Sequence, residues 1–365
     1  MLPSTERLLL GPGPSPVSPG VLAALSASPR SHLDPDLLAL IDDIRARLTR
    51  IFFAPEGSAV LAVSGTGTTA MEAAVSNMVE PGTRALAIVT GYFGDRLASI
   101  MERYGADVTR LNIEWGRAVD PAAVIAALEH QRYDIVSVVH AETSTGVRNP
   151  IEAIAEPAMQ HGAITIVDAV TSLGALPLRM DQTMIDVCYS CSQKGLGAPP
   201  GLSPVAFGPR ALERKVACRS FSLDLTLLED FWVRRKYHHT ISSPLVYALA
   251  TALAEIEDER VDVRWARHES VHRGFVDGLN KFRLTVLPPE EERLWNLNAV
   301  VVPDGCNEAR VRSALLNNHN IEVGAGLGPL AGRVWRVGLM GSGATHANVE
   351  RLLTALSSAL EAGRS

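Results

Sequence analysis

Two ionisable side chains stand at the ends of apolar runs in this chain. Asp168 closes the run 163–167, and Lys194 lies five residues beyond the run 185–189. Lys194 sits in Ser192-Gln193-Lys194-Gly195, ahead of Gly197, Pro199 and Pro200, so neither a helix nor a strand can run through it. A lysine in such a turn is either solvated or held for chemistry. A carboxylate at the end of a neighbouring apolar run favours chemistry: an amine can condense with an aldehyde, and a carboxylate can keep a ring nitrogen protonated.

Those two requirements belong to pyridoxal phosphate, and other stretches of the chain offer the further parts that cofactor needs. Ser64-Gly65-Thr66-Gly67-Thr68-Thr69 joins an expected strand to an expected helix, where successive N–H groups and hydroxyls can cradle a phosphate. It is not the dinucleotide fingerprint, because no GxGxxG occurs. Ser192 and Gln193 lie beside the lysine and could reach the same phosphate. Tyr92 and Phe93 follow an expected strand, and an aromatic there can stack on a flat ring or simply fill the core. His140 opens a polar run through Glu142, Thr143, Ser144 and Thr145 that could touch cofactor or substrate, or cap the next helix. Arg336 is flanked by Val334, Trp335 and Val337. A guanidinium in such a strand is costly to bury unless a carboxylate meets its fork, from a substrate or from the protein itself.

Positioning these groups requires a sheet. Apolar runs expected as strands fall at 60–63, 85–89, 107–111, 134–139, 163–167 and 185–189. Helical spacing at 68–78, 96–104, 121–129 and 151–160 alternates with them. The strands lack strict apolar–polar alternation, as strands covered by helices on both faces do, so the class is α/β with a mostly parallel sheet. Ligands of such sheets collect at the carboxyl ends of the strands. From about residue 240 the pattern changes: a long helix ending near Asp262, a second over 265–279, strands at 283–287, 297–302 and 333–339, and helices at 310–317 and 348–360. The expected organisation is an N-terminal arm over 1–20, broken by five prolines and three glycines. A large domain over 21–255 and a smaller α+β domain over 256–365 follow it.

With 365 residues and 47% hydrophobic content, the chain can bury one large core and a second smaller one. A net charge of -6 argues against a nucleic-acid or anionic-membrane surface. No signal-peptide layout or membrane-length apolar run occurs, so a soluble, cytoplasmic protein is expected. Cys188 and Cys191 have CxxC spacing without a second pair or a nearby histidine, and no metal site is expected.

The motifs together resemble the class V, fold-type I aminotransferases, most closely the alanine–glyoxylate and serine–glyoxylate (serine–pyruvate) branch. The resemblance runs almost end to end, through Gly11–Pro14, Ser64–Gly67, Glu142–Gly146, Val167–Gly174, Ser192–Lys194, Ala198–Gly201, Tyr237–Thr240, Gly326–Pro329 and Arg336–Gly338. It implies a seven-stranded-type sheet and a homodimer whose two sites are shared across the interface. In that likeness Lys194 would hold the cofactor and Asp168 its ring nitrogen. Gly65, Thr66 and Gln193 would contact the phosphate, Val170 and Phe93 would face the ring, and Thr143 would touch the cofactor. Tyr237 and Thr240 would reach the cofactor of the other subunit. Arg336 would take the substrate carboxylate, and Gly13 with the arm would help close the site, often across the dimer. Two departures stand out: Thr66 replaces a histidine frequent in animal members, and Phe93 a frequent tryptophan.

The implied activity is amino transfer from alanine or serine to glyoxylate, giving glycine and pyruvate or hydroxypyruvate. No second arginine is singled out for a distal carboxylate, which favours small donors. Ureidoglycine–glyoxylate and pyridoxamine–pyruvate transfer are the neighbouring alternatives on the same scaffold. A cysteine desulfurase would need a catalytic thiol, for which only Cys306 offers itself. A fold that binds pyridoxal phosphate without turnover is the remote alternative.

Overall fold

The computed structural model describes residues 6–364; the first five residues of the expected arm, and Ser365, lie outside the described residues. Its centre is a seven-stranded sheet. Across it the strands run Ala59–Gly65, Gly201–Phe207, Val187–Tyr189, Ile164–Asp168, Ile135–Val139, Arg84–Val89 and Asp107–Asn112. Gly201–Phe207 is antiparallel to both of its neighbours, and the remaining pairs are parallel. Ile135–Val139 and Ile164–Asp168 are buried at every position, which explains why their sequences are apolar without alternation.

Gly201–Phe207 is absent from the sequence expectation because Ser203 and Pro204 interrupt its apolar run. Pro204 still contributes its carbonyl, which accepts from Ser190 N at 2.8 Å. The helix Pro35–Phe52 also went unread. Asp34 caps it by accepting from Asp36 N, and Leu37, Ile41, Ile44, Leu48 and Ile51 form its buried stripe. The helix Gly67–Met78 starts at Thr66, whose N–H donates to Thr69 Oγ1 at 3.2 Å.

The second core gathers Leu10 and residues from Val271 to Leu360 around a three-stranded antiparallel sheet in the order Leu297–Val301, Val334–Gly338, Gly324–Ala325. The long helix expected to end near Asp262 stops at Glu259: Arg260 adopts a positive φ of 69°, and a new helix, Val261–Asn280, begins at once. The strand expected at 283–287 is not formed. Arg283 has a positive φ of 58°, Pro288 follows, and only Val286 bridges to Val300. Among the described residues no helix is long and apolar enough to cross a membrane.

The arm is ordered by the second core of its own chain. Leu8–Leu9 pairs in parallel with Ile321–Glu322, and Gly338 N donates to Leu10 O at 2.8 Å. A Cβ at Gly338 would fall well inside contact distance of Gly11 O. Gly338→Ala should therefore displace the arm and lower stability by about 1–3 kcal/mol, the usual cost of overpacking. Limited proteolysis under native conditions checks this: cleavage within 6–16 should accelerate, and a digestion pattern unchanged from wild type would contradict the account.

Candidate active site

Asp168 ends its strand with its side chain 3% exposed. Its Oδ1 accepts from Val170 N at 2.8 Å and its Oδ2 from Tyr189 Oη at 3.0 Å. Burial pushes its pKa up to about 7; the two hydrogen bonds and Lys194 oppose that rise, and the buried Glu142 adds to it. A carboxylate so placed is fully ionised only when a cation comes to face it.

Lys194 lies in the turn after Val187–Tyr189, half-buried, and its Nζ donates to Pro12 O. Burial lowers its pKa, and the nearby charge of Arg336 lowers it further. The turn is held from two sides. From the arm, Ser15 N donates to Gln193 O at 2.8 Å and Ser15 Oγ to Lys194 O at 2.9 Å. From the helix Val261–Asn280, the buried Arg264 donates to Gly174 O at 3.0 Å and Gly195 O at 2.9 Å, while pairing with Glu259 at 2.7 Å. Gly13 has φ +119°, and a Cβ there would sit 2.5 Å from Lys194 Nζ. The arm thus reaches the lysine of its own chain.

Both groups line one cavity of about 180 Å³. Thr66, Phe93, Thr143, Val170, Gln193 and Arg96 also contribute to its wall. The start of the helix Gly67–Met78 faces it, with no acidic residue in the first turn. Gly67 has no room for a side chain, since a Cβ would lie 2.9 Å from Val170 Cγ2. Gln193 Oε1 is buried with no hydrogen-bond partner. These parts fit pyridoxal phosphate: an amine for the aldehyde, a carboxylate that ionises against a ring N–H⁺, a wall carrying Val170 and Phe93 for the ring, and an N–H-rich helix start for the phosphate.

Not every expected residue is at the cavity wall. Gly65 ends its strand with φ +145°, paired to Gly201, and turns the chain into the helix start. Arg336, 8% exposed, donates from Nε to Ala325 O at 2.6 Å, and burial lowers its pKa to about 10. No carboxylate among the described residues pairs with it. Tyr237 is 66% exposed and Thr240 is exposed; both lie away from this wall, on a segment whose His239 meets Ser64 Oγ at 2.9 Å. His140 turns to the far side of its strand end and lines a different cavity, and burial lowers its pKa to about 3. Cys306 lies against Gly363 in the second core, away from Lys194.

Two residues have roles in the site that the sequence did not assign. Glu142 is fully buried; its Oε2 accepts from Phe93 N at 3.1 Å and Gly94 N at 3.2 Å, and its Oε1 from Ser144 N and Oγ at 3.1 and 2.6 Å. One carboxylate thus ties the helix that carries Phe93 to the turn that carries Thr143. Arg96 also enters the wall, against the expectation that no second arginine stands out. Only the four-residue offset from Tyr92 and three from Phe93 on one helix could have signalled it.

Residues 21–352 match the family model described as aminotransferase class-V. The chain is 34% identical to the alanine–glyoxylate aminotransferase of Drosophila melanogaster over 98% of this chain and 93% of that protein. Among solved structures, an alanine–glyoxylate aminotransferase from Nostoc sp. is similar with a TM-score of 0.95 and 44% identity, covering 99% of this chain and 97% of that one. The ureidoglycine–glyoxylate aminotransferase of Bacillus subtilis is similar with a TM-score of 0.96 and 31% identity, covering 100% and 95%. With its fold, its cavity and these likenesses all in agreement, the chain belongs to the class-V aminotransferases of fold type I.

Proposed function

We propose that this aminotransferase uses pyridoxal phosphate to move an amino group from alanine or serine to glyoxylate, giving glycine and pyruvate or hydroxypyruvate. The observation that carries the reading is a buried Arg336 paired with no carboxylate among the described residues and close enough to Lys194 to lower its pKa. The relatives named for alanine–glyoxylate transfer support the substrate pair. When bound, pyridoxal phosphate supplies an electron sink for the pair left as the donor's α-C–H bond breaks, and carries the amino group between half-reactions.

The residues divide the remaining work. Lys194 Nζ, whose pKa burial lowers, takes the α-proton of the donor, passes it on within that half-reaction, and in the second half delivers a proton to the α-carbon of the new amino acid. Asp168 holds a positive charge opposite itself, and its hydrogen bonds from Val170 and Tyr189 fix its direction. Arg336 takes the substrate α-carboxylate in a forked pair. Phe93 and Val170 would hold the ring, and Thr66, Gln193 and the helix start would take the phosphate. Gly13 and the arm exclude water over Lys194. Tyr237 and Thr240, exposed on the single chain, complete the phosphate end of a second copy's site in a homodimer.

Lys194→Ala should abolish turnover while leaving the far-ultraviolet circular dichroism unchanged. Borohydride reduction of the loaded wild type should fix the cofactor to a peptide containing Lys194. Recovery of the adduct on another lysine would overturn the assignment.

The raised pKa of Asp168 also predicts how the cofactor-free protein responds to pH. The folded value of about 7 lies above the unfolded value near 4, so the contribution is fully present below about pH 4 and is lost as pH rises through about 7. The loss is on the order of 4 kcal/mol at most. Asp168→Asn should flatten that part of the profile, measured by urea unfolding between pH 4 and 8. Parallel profiles for variant and wild type would contradict the account.

A kcat/KM panel tests the substrate reading. Alanine and serine with glyoxylate should exceed glutamate with pyruvate or 2-oxoglutarate, and ureidoglycine and pyridoxamine belong in the same panel. One methylene is discriminated by only about 1–3 kcal/mol, so near neighbours should react more slowly rather than not at all. Glutamate with pyruvate as the best pair would refute it. The active species should sediment as a dimer or a multiple of one.

A further inference from the structure

A phosphate ester carries close to two negative charges near neutral pH, and the cradle described so far offers mostly neutral donors. The N–H groups of the helix Gly67–Met78 supply a partial charge of roughly +0.5. Among the described residues lining the cavity, the cations are Lys194 and Arg96. Lys194 is committed to the carbonyl end. Arg96 remains.

Arg96 lies on the helix Tyr92–Arg103, and its Nη1 donates to Thr68 Oγ1 at 3.1 Å, in the first turn of the phosphate-facing helix. Its guanidinium sits 5.0 Å from the Phe93 ring centroid and 5.1 Å from that of Tyr92. Elsewhere on this surface arginines are neutralised by carboxylates: Arg110 by Asp95 and Glu102, Arg267 by Glu259. No carboxylate among the described residues pairs with Arg96. A cation stacked on the ring wall, bonded to the helix start and left without a counter-charge is placed to receive an anion there.

We propose that Arg96 is the cation that binds the cofactor's phosphate in this chain, a role that rests on the cavity taking pyridoxal phosphate. It also agrees with the proposed use of small donors: an arginine engaged by phosphate is not available to a donor's distal carboxylate.

The test uses cofactor-free, full-length protein titrated with pyridoxal phosphate and, separately, with pyridoxal, which lacks the phosphate. Arg96→Gln should weaken pyridoxal phosphate by about 10- to 100-fold, the range for a lost charge-assisted bond. It should leave pyridoxal affinity within about twofold of wild type. Arg96→Lys, which keeps charge but loses the fork, should recover part of the loss. Inorganic phosphate should compete with pyridoxal phosphate on the wild type and compete less on Arg96→Gln. Unchanged pyridoxal phosphate affinity in Arg96→Gln overturns the proposal, as does an equal loss for both ligands, which would make Arg96 a support for Phe93. A raised KM for the amino donor with unchanged cofactor affinity overturns it too, and moves Arg96 to the substrate. Wild-type protein that binds no pyridoxal phosphate would instead overturn the reading of the cavity itself.

Discussion

A turn built of glycine and proline has no ladder of its own, so everything that makes Lys194 useful depends on bonds brought to it from elsewhere. Arg264 brings the main one. Burying its guanidinium is costly, and the cost is offset because Glu259 and two backbone carbonyls fill its fork. The carbonyls belong to Gly174 and Gly195, the first just beyond the Asp168 strand end and the second directly after Lys194. One cation therefore sets the spacing between the two segments that carry the carboxylate and the amine. Gly195 must be glycine for the same reason, since a Cβ there would run into Leu173 O.

The electrostatics of the site follow from this close assembly in a poorly solvated space. The charge of Glu142 raises the cost of ionising Asp168, while Lys194 stands against Asp168 and Arg336 against Glu142. Glu142 resolves its burial locally, by accepting four hydrogen bonds from N–H and O–H groups. Asp168 accepts two, which leaves its charge under-compensated, and Arg336 has one carbonyl. The surplus sits on the groups that border the lysine, and their incomplete pairing is what a charged ligand would satisfy.

Much of the central sheet was legible because its strands are short apolar runs ended by polar or glycine residues. The strand Gly201–Phe207 was hidden by Pro204, a residue that argues against a central strand and is tolerated here because its carbonyl still bonds. The helix Pro35–Phe52 was legible in its spacing but lies ahead of the alternation that begins near residue 60. Arg260 and Arg283 adopt backbone conformations uncommon for arginine, so neither the helix break nor the lost strand had a local signal. In the cavity, Asp168, Val170, Gln193 and Lys194 fall within short stretches whose residue types already hint at chemistry. Glu142 and Arg96 act through partners some fifty and twenty-eight residues away in sequence, a distance across which no spacing rule operates. His140 shows the reverse: a suggestive residue at a strand end, turned by the two-residue period to the wrong face.

The arm has a consequence for the order of events during synthesis. Leu8 and Leu9 are made well before their pairing partners, Ile321 and Glu322, which are translated more than three hundred residues later. Of the other residues that hold the arm, Gln193 precedes the second core in sequence and Gly338 lies within it. The pairing that seats the lid over Lys194 therefore cannot form until residues 321–338 have been made. The sheet, the lysine turn and the second core must all exist before the arm can be fully docked, which makes completion of the site a late step of high contact order. A nascent chain stalled before residue 321 would hold its amine and carboxylate open to water.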